Sequence, residues 1–378
     1  MRIPSQSPES QDAADDSWRL RTGREDADAF HPLVAHRRLR SKTRARMSWR
    51  NVMFAVASPG GVEPWAMRKV AQIASPLSAE VELFHCVFDS HVRPGLFASR
   101  SIEESIRAIV ERRHRQLEAI AEYLRGRGIR VRTTIRWDYP PHEGIVRQVL
   151  RHKPDLLIAQ STRWSRVARL VLTHTDYRLI EACPCPLLLI KRARPYAEAA
   201  CIVAAVDPLH AHDKPAALDD AILRAASVVA HALRASLHVY HACAPWPVVA
   251  RRSAQRRRVH DTVQAEVHEA YCEQTEARVA QIAGRHEVPR HLVHVEEGDA
   301  VKSLPRFARR VSADIVTMGA VSRSLPKRAL IGHTAERVLD VLDCDVLIAK
   351  PSDFRSPVPR HSVHRLPKRG AQRGKYIL

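Results

Sequence analysis

The sequence predicts an α/β protein of two tandem doubly wound domains, each a five-stranded parallel sheet flanked by helices. Three observations predict it. Short apolar runs alternate with longer segments whose apolar residues recur every three or four positions, the pattern of parallel strands covered on both faces by amphipathic helices. This strand–helix order occurs twice along the chain. The stretch "DLLIAQSTRWSRVARLVLTHTDYRLIEACPCPLLLIK" (155–191) also lies without a gap over "DIVTMGAVSRSLPKRALIGHTAERVLDVLDCDVLIAK" (314–350). That overlay puts Asp155 on Asp314, Arg169 on Arg328, His174-Thr175 on His333-Thr334, Arg178 on Arg337, Cys185 on Cys344 and Lys191 on Lys350. Self-similarity on this scale marks an internal duplication.

The first copy opens with the strand "VMFAVA" (52–57), followed by "SPGG" (58–61), a turn because no Gly-Lys-Ser/Thr completes a phosphate loop. "VELFHC" (81–86) is its second strand. A long helix carries Ile102, Ile106, Ile109, Leu117, Ile120 and Leu124 on one face and stops at Gly126 and Gly128. "WDYPPHEG" (137–144) reads as a loop running into a helix with Glu143 in its first turn. In the second copy "CIVAAVD" is the first strand, and Leu218, Ile222, Ala225, Val229 and Leu233 line one face of the next helix. "SLHVYHA" follows, then a long polar helix with Val259, Val263, Val267 and Tyr271 on one side. "HLVHVEE" alternates as a strand, "AVKSLPRFARRVSA" is helical with a disturbance expected at Pro305, and "DIVTMG" is a buried strand. "TAERVLDVLD" and "DVLIAK" give the last helix and strand.

The domains are expected at 47–194 and 198–352, between a disordered basic leader (1–46) and a disordered basic, proline-containing tail (353–378). Because ordered patterning starts at Met47, translation is expected to begin there, leaving the leader unmade. No run approaches the roughly 18 apolar residues of a membrane span, and no signal-peptide pattern is present. A cytoplasmic protein is expected. The seven cysteines are scattered and form no disulfide framework. Cys183 and Cys185 in "CPCP" lack the partner pair that tetrahedral zinc wants, so they read as small buried thiols, and no metal site is expected. A net charge of +20 favours contact with nucleic acid at low salt. No nucleic-acid motif or interleaved aromatic residue accompanies it, so a solvated basic surface stands beside that reading.

The stretch "MGAVSRSLPKRALIGHT" (318–334) holds the parts of a phosphate cradle: Gly319 after a strand, Gly332, His333 and Thr334 at a helix start, and Arg323, Lys327 and Arg328 between. With "AAVD" at the first strand and "VLTHTDYRLIEACPCPLLLIK" in the first copy, it makes residues 50–352 resemble tandem members of the universal stress protein family. That resemblance implies the family's nucleotide-binding α-hydrolase-like fold. In nucleotide-binding members the pattern is Gly, two residues, Gly, nine residues, Gly, then Ser or Thr, with the first-strand Asp approaching adenine.

Carried over, the resemblance makes Asp207 the adenine-side acid and Gly319 the first glycine. Ser322 stands for the second glycine, Gly332 is the third, and His333 and Thr334 stand at the hydroxyl position. In the first copy Ala57, Gln160, Arg163 and Thr173 take the Asp and glycine positions, so no cradle remains, although Arg163, Arg166 and Arg169 keep that loop basic. ATP is therefore expected in the second domain only, and the resemblance implies that the last strands "LLLIK" and "VLIAK" pair across the repeat, an internal pseudo-dimer. His85 and His241 end the second strands, as cleft-facing groups or as satisfied core histidines. No Ser/His/Asp or Cys/His set stands out, so no catalytic residue is expected. The expected function is binding in a stress response, with a protein partner, self-association left open, and ATP as a regulatory ligand. A slow ATPase using His333 as base is the first alternative, and a nucleic-acid scaffold the second.

Overall fold

Strands without polar residues must lie at the centre of a sheet, and the computed structural model places them there. It describes residues 49–88, 100–161, 172–208, 217–243, 261–320 and 331–362, all within one unit that begins at Ala45. The first half runs β1 (Asn51–Ala55), α1 (Pro64–Leu77), β2 (Glu80–Val87), α2 (Arg100–Arg125), β3 (Val131–Trp137), α3 (Pro141–His152), β4 (Leu156–Gln160), α4 (His174–Ala182) and β5 (Leu187–Ile190). The second runs β6 (Cys201–Ala205), α5 (Leu218–Leu233), β7 (Ser236–Cys243), α6 (Asp261–Arg285), β8 (Val293–Glu297), α7 (Ala300–Arg310), β9 (Ile315–Gly319), α8 (His333–Val341) and β10 (Asp345–Ala349).

Within each half the five strands are parallel, and the halves meet where β5 pairs antiparallel with β10, Leu188 facing Leu347. The expected pairing is present, and it fuses the two sheets into one of ten strands, ordered β3-β2-β1-β4-β5-β10-β9-β6-β7-β8. Each face carries a core that crosses both halves. One gathers Val70 and Ile73 of α1, Leu117 and Leu124 of α2, Ile222 and Val229 of α5 and Val279 of α6. The other gathers Val146 of α3, Leu179 of α4, Phe307 of α7 and Leu339 of α8.

The duplication is visible in how polar groups are used. Asp155, just before β4, accepts from the backbone N–H of Arg50 (2.7 Å) and Asn51 (2.9 Å). Its counterpart Asp314 accepts from the Cys201 N–H (3.1 Å). Each carboxylate ties the start of its half's first strand to the start of the fourth. Lys191 follows β5 and Lys350 follows β10, and each reaches into the other half. The Lys191 ammonium donates to the carbonyls of Leu339 (3.3 Å) and Leu342 (2.7 Å) at the end of α8, and Lys350 donates to the Ile180 carbonyl at the end of α4. Both cations meet the negative end of a helix and satisfy carbonyls that lack intrahelical partners.

One seam contact has no twin. Asp345 is fully buried and accepts four hydrogen bonds, from the Lys69 ammonium (2.5 Å), the Tyr196 hydroxyl (2.8 Å), and the N–H groups of Lys191 (2.8 Å) and Arg192 (3.0 Å). Burial lowers the Lys69 pKa despite the carboxylate beside it. In the duplicated register Pro186 stands at the position of Asp345.

Two expectations are corrected. Residues 353–362, assigned from composition to the disordered tail, return across the first half. Val358 packs on its core, the Arg147 guanidinium Nε donates to the Pro359 carbonyl (3.2 Å), and Ser362 donates to Asp138 (2.5 Å). A basic, proline-containing stretch suggests solvent, but here an inward apolar side chain and a buried ion pair hold it. Residues 363–378 and the leader lie outside the described residues. The helix expected to be disturbed at Pro305 also continues as α7 from Ala300 to Arg310, with Pro305 buried. Pro305, the sixth of eleven residues, removes the single hydrogen bond to the Val301 carbonyl, and the helix continues past it.

Candidate functional site

Open parallel sheets bind ligands beyond the carboxyl ends of their strands, where the strand order reverses. In the second half this point lies between β6 and β9, whose registers match Ala204 with Thr317. Asp207 stands two residues beyond β6. Its N–H donates to the Asp219 carboxylate (3.0 Å), which fixes the turn, and its own carboxylate is 42% exposed. Next to it in β7, buried His241 uses Nδ1 on the Val206 carbonyl (2.9 Å), with the Asp207 carboxylate 3.9 Å from the same nitrogen. A carbonyl can only accept, so Nδ1 carries a proton. Tyr271 of α6 is close by: burial, then the charges of Cys243 and Asp207, push its phenol up.

Gly319 ends β9. A Cβ there would fall 2.7 Å from Leu218 Cδ2, so the bare Cα is what lets the first turn of α5 rest on the strand end. Gly332 is the N-cap of α8, extended at φ −65° and ψ 139°, and no side chain caps the helix there. His333 and Thr334, its first two residues, are exposed. Asp207, His241 and Gly319 thus stand at the ends of three neighbouring strands. Gly332, His333 and Thr334 open the helix that follows β9. Ser322, Arg323, Lys327 and Arg328 lie outside the described residues.

The first half shows what the same position looks like when it is filled. Thr173, the counterpart of Gly332, caps α4: its hydroxyl accepts from the Asp176 N–H (3.2 Å), and Asp176 accepts from the Thr173 N–H (2.8 Å). The Ser161 hydroxyl donates a further bond to Asp176 (2.6 Å), whose carboxylate is buried. An internal anion therefore occupies the helix N-terminus where a phosphate would bind, and it would repel a second one. In the second half all three are gone: Gly332 replaces Thr173, Ala335 replaces Asp176 and Ala320 replaces Ser161. The Thr-x-x-Asp signature was readable in the sequence, but comparison with a glycine pattern passes over it. Arg163, Arg166 and Arg169 of the first copy lie outside the described residues.

His85, the counterpart of His241, hydrogen-bonds through Nδ1 to the Val56 carbonyl (2.7 Å) and is 5% exposed. The backbone satisfies both histidines, as the core reading expects. Burial pushes the His85 pKa down to about 4. The unfolded chain therefore takes up this proton first. Its contribution to stability is complete above about pH 6.5, declines as the pH falls toward 4, and amounts to about 2 kcal/mol lost by about pH 5. His85→Gln, whose amide can still donate to Val56, should flatten the acid side of the stability–pH curve measured by urea unfolding. An unchanged acid limb would show that His85 does not shape it.

Among the described residues no three His, Cys, Asp or Glu side chains are grouped to hold a metal ion, and no helix is long and apolar enough to cross a membrane.

Comparison with known proteins gives a consistent result. The model of the family described as "Universal stress protein family" matches residues 48–191 and again 202–350. The chain is 23% identical over 307 residues to universal stress protein E of Escherichia coli (strain K12), covering 81% of this chain and 96% of that protein. It is 21% identical over 315 residues to the universal stress protein E homolog of Haemophilus influenzae, covering 81% and 99%. Among solved structures, a putative universal stress protein from Pseudomonas aeruginosa UCBPP-PA14 superposes with a TM-score of 0.61 at 27% identity, over 82% of this chain and 96% of that one.

Proposed function

Because the chain belongs to the universal stress protein family, as two consecutive copies of its domain, we propose that it serves a stress response by binding, with ATP as a regulatory ligand of the second half alone. One contrast carries this reading. The helix start that would face phosphate is closed by Thr173, Asp176 and Ser161 in the first half and stripped to Gly332, Ala335 and Ala320 in the second. Backbone N–H groups at an uncapped helix N-terminus favour an anion. In this reading Gly332, His333 and Thr334 receive phosphate, assisted by Ser322, and Asp207 accepts from the adenine amino group. Gly319 lets Leu218 and the first turn of α5 pack on the strand end beside them. The cations Arg323, Lys327 and Arg328 offset the triphosphate charge. The first half acts as the structural partner of the second.

Isothermal titration of the full chain with ATP and magnesium tests this. The expected result is saturable binding in the micromolar range, one nucleotide per chain, lost in the Asp207→Ala, Gly332→Val double variant. Absence of saturable heat, or two equivalents per chain, would overturn it.

A further inference from the structure

Cys183 is the C-cap of α4, its N–H bonded to the Leu179 carbonyl, and the chain bends through Pro184 and Cys185 immediately after. The bend brings the two sulfurs to 3.6 Å, one thiol donating to the other. Cys183 is fully buried and Cys185 is partly buried. The Lys350 ammonium, which crosses the seam to the Ile180 carbonyl in the last turn of the same helix, acts electrostatically on Cys183.

The chemistry of the three groups is linked. Burial would raise the Cys183 thiol, but the hydrogen bond from Cys185 and the Lys350 charge outweigh it and the pKa is lowered. Burial pushes Lys350 down to about 8, with Cys183 and Glu181 pulling the other way. The partner thiol, Cys185, is raised well above the ordinary thiol value by the same hydrogen bond and by burial. A thiol with a lowered pKa beside a cation, with a second thiol in reach, favours a reactive dithiol. The duplication supplies a control. Cys344 stands where Cys185 does, but Leu342 takes the place of Cys183, and burial pushes Cys344 up to about 12.

We propose that Cys183 and Cys185 form a peroxide-responsive dithiol that closes to a disulfide under Lys350. The Cys183 thiolate attacks one oxygen of a hydroperoxide; the S–O bond forms, the O–O bond breaks, and the departing hydroxide takes a proton to become water. The Cys185 sulfur then attacks the sulfenic acid, forming S–S and releasing the second oxygen as water. Two thiols lose two electrons and one peroxide gains them. The two sulfurs start at 3.6 Å and a disulfide bond is about 2.05 Å long.

Treating the full chain with hydrogen peroxide, denaturing it in an alkylating agent and mapping tryptic peptides tests this directly. Trypsin releases Leu179–Lys191, which contains these two cysteines. The expected peptide is unalkylated and two hydrogen masses lighter, while the Cys344 peptide remains fully alkylated. Cys185→Ser should instead leave a sulfenic acid on Cys183 that a dimedone probe captures. Lys350→Met should slow disulfide formation about tenfold, with Lys350→Arg restoring it. Both thiols of Leu179–Lys191 remaining alkylatable at a peroxide dose that oxidises other cysteines would overturn the proposal. So would oxidation of Cys344 at the same rate.

Discussion

Replacing Asp345 with alanine should lower the unfolding free energy by about 3–5 kcal/mol, the cost of leaving a buried charge without its partner. Four donors converge on this carboxylate: Lys69 and Tyr196 on one oxygen, the backbone of Lys191 and Arg192 on the other. The Lys69 side chain is 2% exposed, so it cannot turn to water when the carboxylate is removed. It must stay charged, held only by the Arg192 carbonyl (2.9 Å) and the faces of Trp65 and Tyr196, or give up its proton. Lys69→Met added to Asp345→Ala should recover a large part of the loss, because an apolar pair tolerates the same burial. Urea unfolding of the parent, both single variants and the double variant measures this. A loss under about 1 kcal/mol for Asp345→Ala would mean that the seam relaxes around it.

Arg147→Met should come next, at about 3 kcal/mol, and should release the C-terminal segment. The guanidinium is 2% exposed and does three jobs: it pairs with Asp138 at 2.7 Å, pairs with Glu143, and donates to the Pro359 carbonyl. Its loss leaves Asp138 buried, still served by the Ser362 hydroxyl and the Tyr139 N–H. This remaining satisfaction keeps the cost at the lower end. Limited proteolysis should cut within 351–362 faster in the variant than in the parent. Equal cutting rates would mean that Val358 and the core hold the segment without the arginine.

The architecture was legible because periodicity is a local property. Leu218, Ile222, Ala225, Val229 and Leu233, read as one helix face, are all buried in α5. The resemblance to the family also implied the pairing of the two last strands. In the site, Asp207, Gly319 and Gly332 were placed at strand ends and a helix start by the duplicated pattern, and they are there. The packing of Leu218 against Gly319 was not legible, because it joins residues far apart in sequence. The same reason hides the crossing of Lys191 and Lys350, which the alignment matched without showing where either reaches. Composition misled for residues 353–362, where one valine, one carbonyl and one hydroxyl decide the matter against a polar average.

The Asp345 contact also bears on why two copies share one chain. Counting back equally from the left-handed C-caps of α1 and α5, at Ser78 and Arg234, the position of Lys69 falls on Ala225, and Pro186 takes that of Asp345. Two identical subunits could not hold such a contact on one side only, since every substitution would appear twice about the axis. Joined end to end, the copies are released from that constraint. Each can then change at the seam independently of the other, as Lys69 in one half and Asp345 in the other do. Their association also no longer depends on how much of the protein a cell contains.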